Sequence, residues 1–232
     1  MPVKKIKQSS APHVAGASTV EAELLAIDDT HRVLPFTMPR PNGFKAGVLT
    51  SRPCRMPIIF ERDQLSLFTA GKATYTGIGG EVINVEPGML VHFRRDWTGE
   101  LVVHQPIRQV YGACSGGSGI GVTPVLADAA RVPAAEDWGP VPNPLEGEPR
   151  TSGIVLSKDG QVESGIWICT PGKWALEVGR DEYCHFLAGR CTYTHESGEV
   201  IEVVADTAAF FPKGWKGTCQ VHETVRKVYL LR

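Results

Sequence analysis

Asp63-Gln-Leu-Ser-Leu-Phe-Thr-Ala-Gly-Lys-Ala-Thr-Tyr-Thr76 and Asp181-Glu-Tyr-Cys-His-Phe-Leu-Ala-Gly-Arg-Cys-Thr-Tyr-Thr194 are two versions of one segment. Gly189 stands 118 positions after Gly71, and the same spacing continues without a gap on both sides. Gly80-Glu-Val-Ile meets Gly198-Glu-Val-Ile, Phe93 meets Phe211, and Trp97 and Gly99 meet Trp215 and Gly217. Arg108 and Tyr111 meet Arg226 and Tyr229. Roughly a third of the positions from Ala46 to Tyr111 are identical to their partners, far above chance for an ungapped window. The chain is therefore an internal duplication.

Within each copy the pattern is β. Runs of five to eight residues rich in Val, Ile, Phe, Thr and Tyr are broken by Gly, Asp and Ser, as in Val200-Ile-Glu-Val-Val and Ala208-Ala-Phe-Phe. Many short strands at regular spacing predict a sandwich or a barrel. The reading divides the chain into a tail plus first barrel (1–114), a Pro/Gly-rich linker (115–145) and a second barrel (146–232). Short helical turns are expected in the tail (Val20 to Ile27) and in the linker (Val125 to Ala135).

Composition narrows the function classes. With 24 basic and 25 acidic residues the net charge is -1, so no nucleic-acid footprint and no polybasic membrane patch is present. No apolar run approaches the length of a membrane span. The first twenty residues carry no apolar signal-peptide core. The expectation is a cytoplasmic protein that binds a small molecule. Its six cysteines, which form no C-x-x-C pair, are expected to be reduced and mostly buried as small apolar groups.

The order strand, E-x6-G, hairpin, Gly-Glu, strand, F-P-x-G resembles the cupin superfamily. Glu182 with Gly189 fits the end of the first cupin motif, and Phe211-Pro212-Lys213-Gly214 fits the P-x-G of the second. Thr170-Pro-Gly-Lys-Trp174 and Asp181-Glu182 are similar to the subgroup of ethanolamine-utilisation cupins and ureidoglycine aminohydrolase-like proteins. The resemblance implies an all-β bicupin of two double-stranded β-helix barrels. It also implies amine, ureide or carboxylate metabolism, and a divalent metal held by two His, a Glu and a further His. Only the Glu, Glu182, is kept. The His pair falls near Ala175 and Glu177 or near Leu176 and Val178, and the last His falls on Gly217. No cofactor follows from the residues, although a metal held by Glu182 and Glu177 stays an alternative.

The copies differ where a cupin does its chemistry. Trp174, Glu177, Glu182 and Lys216 stand against Met56, Ile59, Gln64 and Thr98, so the second barrel carries the charged and aromatic set and the first reads as a degenerate scaffold. Glu182 and Glu177 are the candidate acid–base pair, and Trp174, Cys184, Trp215, Lys216 and Cys219 the candidate ligand contacts. Strand alternation turns Glu182, Cys184 and Phe186 inward with Cys219, and turns Leu65 and Leu67 outward. That outward apolar face calls for cover by the other copy or by a second subunit, making a homodimer an open expectation. His185 and His195 are expected at the surface.

Overall fold

The computed structural model describes residues 43–119, 121, 123–132 and 135–232, together with the strand residues 23–25. Among the described residues there is no helix. After β1 (Glu23–Leu25), the first half contains β2 (Lys45–Ser51), β3 (Cys54–Ile59), β4 (Asp63–Gly77), β5 (Val82–Val85), β6 (Leu90–Phe93), β7 (Thr98–Cys114) and β8 (Val125–Leu126). Next come β9 (Glu136–Pro140), β10 (Pro144–Glu146), β11 (Arg150–Asp159), β12 (Val162–Cys169) and β13 (Gly172–Glu177). The chain ends with β14 (Glu182–His195), β15 (Val200–Val204), β16 (Ala208–Phe211) and β17 (Lys216–Leu231).

The duplication is kept down to the register. β4 pairs with β5, β6 and β7, and β14 pairs in the same way with β15, β16 and β17. Gln64 faces Ala113, and Glu182 faces Leu231. The bulge between Phe68 and Ala70 recurs between Phe186 and Ala188. A bulge lets a long strand bend sharply, so one strand can serve two parts of a curled sheet.

Three apolar clusters follow from the alternation. Phe68, Tyr75, Phe93 and Leu101 fill the first barrel, and Cys184, Phe186, Tyr193, Phe211 and Trp215 fill the second. The third cluster joins the halves: Leu65 and Leu67 pack with Ile166, Tyr183, Val228 and Leu230. The outward apolar face of β4 is thus covered by the other copy. Tyr183 lies against Gly112, where an added Cβ would meet the ring at 2.3 Å. Beside this cluster His92 Nδ1 lies 2.6 Å from Ser164 Oγ, and its Nε2 lies 3.6 Å from Asp63 Oδ1. Asp63 is fully buried; burial pushes its carboxyl up, but bonds from His92 and from the N–H groups of Arg95 and Gly117 outweigh that and lower it.

Several expectations are corrected. Within Val125 to Ala135, β8 pairs with β6 rather than forming a helical turn. Asp128 Oδ1 accepts the N–H groups of Ala130 and Arg131, an Asx-type turn that competes with helix. In the tail, Glu23–Leu25 is a strand paired with β16, and the remainder of Val20 to Ile27 lies outside the described residues. The segment 115–145 is no free tether: β9 pairs with β11, β10 pairs with β13, and Ser118 bonds to Asp159. His185 and His195 are buried, the first 3.4 Å from Asp206 and the second hydrogen-bonded to Ser197 and packed on Trp215. His104 and His222 make the same contact in each half, 2.8 Å from Thr74 and Thr192.

Candidate functional site

The inward residues of β12, β13, β14 and β17 converge on a cavity of about 570 Å³ in the second barrel. β14 contributes Glu182 and Tyr193, β17 contributes Cys219, Lys227, Tyr229 and Leu231, and β13 contributes Trp174 and Leu176. Trp138 and Pro140 on β9, with Val141 and Pro142 after it, complete a wall from the segment that reads as linker in sequence. The lining is mostly apolar and aromatic, as small-molecule sites generally are.

Its polar centre is an ion pair. Lys227 Nζ donates to Glu182 Oε1 at 2.8 Å, and the two side chains are 8% and 18% exposed. The ammonium also lies 4.8 Å from the centre of the Trp167 ring, which lends a cation–π contact. Burial alone would depress the Lys227 ammonium, but the neighbouring Cys184 sulfur and the Glu182 carboxylate together outweigh this and hold it above its ordinary value. Tyr229 donates to Glu163 Oε1 at 3.3 Å, while Arg180 and Lys158 reach Glu163 Oε2 at 3.2 and 3.4 Å. Burial and the Glu163 charge push the Tyr229 phenol up, so it stays a donor.

The structure separates the residues that sequence brought together. Glu182, Trp174 and Cys219 line the cavity. Cys184 is fully buried behind it, and burial together with Glu182 holds it as a thiol. That is the opposite of an activated nucleophile. Glu177 and Lys216 lie outside the cavity, paired with each other at 3.3 Å in an exposed position. Alternation along β13 explains this, because Trp174 and Leu176 take the inward face and leave Glu177 outward. Trp215 is fully buried on Phe211 and Tyr193 and caps the core instead of touching the cavity.

Lys227, Trp167, Glu163 and Trp138 are absent from the set that sequence reasoning assembled. Three of them carry the signal that marked Glu182, since the repeat sets Lys227 against Gln109, Trp167 against Leu49 and Glu163 against Lys45. Alternation continued along β17 from Cys219 also reaches Lys227 on the inward face. Trp138 has no counterpart within the matched window and becomes part of the site only through the pairing of β9.

The side chains do not fit the metal that the resemblance implies. No group of three or more His, Cys, Asp or Glu that could hold an ion occurs among the described residues. Glu182 is engaged by an ammonium, and Leu176 and Trp174 occupy the inward face of the strand on which the His pair would fall. At Gly217 an added Cβ would lie 2.1 Å from the Thr194 carbonyl oxygen, so no ligand side chain fits there; Gly99 meets Thr76 in the same way at 2.2 Å.

Residues 156–229 match the EutQ-like cupin domain. A Pseudomonas syringae pv. tomato protein of unknown function, of the DUF861 family, is 17% identical, with a TM-score of 0.72 over 92% of this chain and all of the other. A cupin 2 conserved barrel domain protein from Leptotrichia buccalis is 9% identical, with a TM-score of 0.58 over 94% of this chain and 91% of that one. The E. coli protein Ylba, also of the DUF861 family, is 11% identical, with a TM-score of 0.56 over 90% of this chain and 81% of that one. No curated protein matches the sequence.

Proposed function

We propose that the second barrel, whose residues 156–229 match the EutQ-like cupin domain, binds a small polar metabolite, with Glu182 and Lys227 as its polar contacts. The observation that carries this reading is the buried Glu182–Lys227 pair at the centre of a Trp-walled cavity. An ion pair costs desolvation that an apolar core would avoid, so its place on a cavity wall favours use of the charges over a purely structural role. A ligand with one ionised and one hydrogen-bonding group can engage both partners, while its body packs against Trp167 and Trp174. The chemistry available is proton transfer at Glu182, with the Lys227 charge stabilising negative charge that develops on the ligand. Amine, ureide or carboxylate metabolism is the class that the resemblance supplies.

The test is a screen of small amines, carboxylates and ureides against the full chain by thermal shift and calorimetry, repeated with Trp167→Ala and Glu182→Gln. A ligand of this cavity should lose at least tenfold in affinity in Trp167→Ala. Any turnover should vanish in Glu182→Gln with the fold intact. Affinity unchanged in both variants would place the ligand elsewhere and overturn the reading. Binding that never leads to turnover would identify the barrel as a binding module.

A further inference from the structure

The first barrel reads in sequence as a degenerate copy, yet it encloses a cavity of about 520 Å³ at the matching place. Gln64, Tyr75, Gln109 and Tyr111 line it at the positions that Glu182, Tyr193, Lys227 and Tyr229 hold in the second barrel. Leu49, Met56, Ile58 and Leu101 supply apolar walls. The charged pair of one barrel is thus a pair of neutral amides in the other.

The amides are not joined as the charges are. Gln64 Nε2 donates to Ser66 Oγ at 2.9 Å. Gln109 is 3% exposed, and its Oε1 has no hydrogen-bond partner. The Tyr75 hydroxyl is also buried; it lies beside the Gln109 amide without a well-aligned bond. A buried polar atom left unpaired costs about 1–3 kcal/mol. Leucine at position 109 would avoid that cost. The wall therefore carries polar capacity that the folded chain itself does not use.

The charge balance selects the ligand. The ionised residues that line the cavity are the exposed Lys45 and Glu61 and the half-buried Arg62, whereas Gln109 is buried; an ion seated at its amide would lose hydration there and meet only the neutral amide and the Tyr75 hydroxyl. Arg62, at the rim, is committed to the Gly43 carbonyl and the Ser115 hydroxyl. We propose that the first barrel is a second ligand site, built for a small uncharged molecule whose carboxamide donates to Gln109 and accepts from Tyr75. This inference does not depend on what occupies the second barrel.

Benzamide is a suitable probe, with benzoate and benzylamine as charged molecules of the same size. Calorimetry on the full chain should show benzamide binding at least tenfold tighter than either. Gln109→Leu and Tyr75→Phe should each weaken benzamide at least tenfold. Gln109→Leu should keep or raise the melting temperature of the ligand-free protein, because it removes an unpaired buried group. Tyr75→Phe is conservative enough to decide the matter should Gln109→Leu fail to fold. The proposal is overturned by absence of benzamide binding, by equal affinity for benzoate or benzylamine, or by unchanged affinity in Tyr75→Phe. A melting temperature lowered by Gln109→Leu with benzamide affinity intact would also overturn it, by making the amide a structural group.

Discussion

Lys227 stands 2.8 Å from Glu182 and under the Trp167 ring, in a place where an apolar side chain would normally pack. The pair holds only as a pair. Either residue alone leaves a charge in a partly dry cavity, a loss of roughly 3–5 kcal/mol at full burial and less where solvent reaches the site. Lys227→Gln and Glu182→Gln should therefore each destabilise the protein by about 2 kcal/mol in urea unfolding. The double variant Glu182→Gln with Lys227→Gln recreates the amides of the first barrel and should recover more than half of that loss. A double variant that simply summed two single losses would show that the charges are not coupled. Gln64 and Gln109 show that the same backbone accepts the neutral version.

At the scale of elements, the two long strands of each barrel pass close to one another at a glycine. Gly217 on β17 and Gly99 on β7 lie against the carbonyls of Thr194 and Thr76, with room for hydrogen only. Trp215 and Trp97 then fold over these positions, 2.8 Å from where a Cβ would sit. Gly217→Ala forces β14 and β17 apart at the barrel end and should cost about 3 kcal/mol or more, by analogy with overpacked cores. Circular dichroism melts would show the drop, with Ala175→Gly on the exposed face of β13 as a milder control. The same contact explains why the repeat keeps Trp-x-Gly in both copies, and why no ligating residue can return at that position. β1 acts in the other direction, adding a strand from the N-terminal tail to the β16 edge. Pairing of an otherwise open edge is a common way to block edge-to-edge association.

At the scale of the whole molecule, the halves share a core and a store of buried thiols. All six cysteines are free, and five are buried. Burial raises Cys114 and Cys169 to about 12 and Cys191 to about 11, and it raises Cys184 and Cys219 as well. A group whose folded value lies above its unfolded value stabilises the fold below the unfolded value, and that stability is lost as pH rises through the folded one. Each thiol therefore steepens the alkaline loss by about 1.4 kcal/mol per pH unit above its ordinary value near 9. The urea midpoint should fall sharply from pH 9 to pH 11, and Cys191→Ala should make the fall shallower. A flat profile over that range would contradict the burial of these thiols. The shared cluster around Tyr183 and Leu65 makes the halves one cooperative unit, and calorimetry should show a single transition.

The duplication, the all-β class and the inward or outward sense of β4 and β14 were legible in the amino-acid order. Local periodicity and an internal repeat carry them, and neither needs distant contacts. Glu182 was legible too, as a mismatch between copies. Glu177 was misleading, because whether a residue of β13 faces Glu182 depends on the strand's phase against β17, and Trp174 holds the inward position. Long-range pairing alone decided that Lys227 reaches Glu182, that β9 walls the cavity with Trp138, and that the outward Leu65 face closes on the other half. These contacts join positions tens to more than a hundred residues apart. Their geometry is set by sheet closure and burial rather than by the local preferences that a sequence displays.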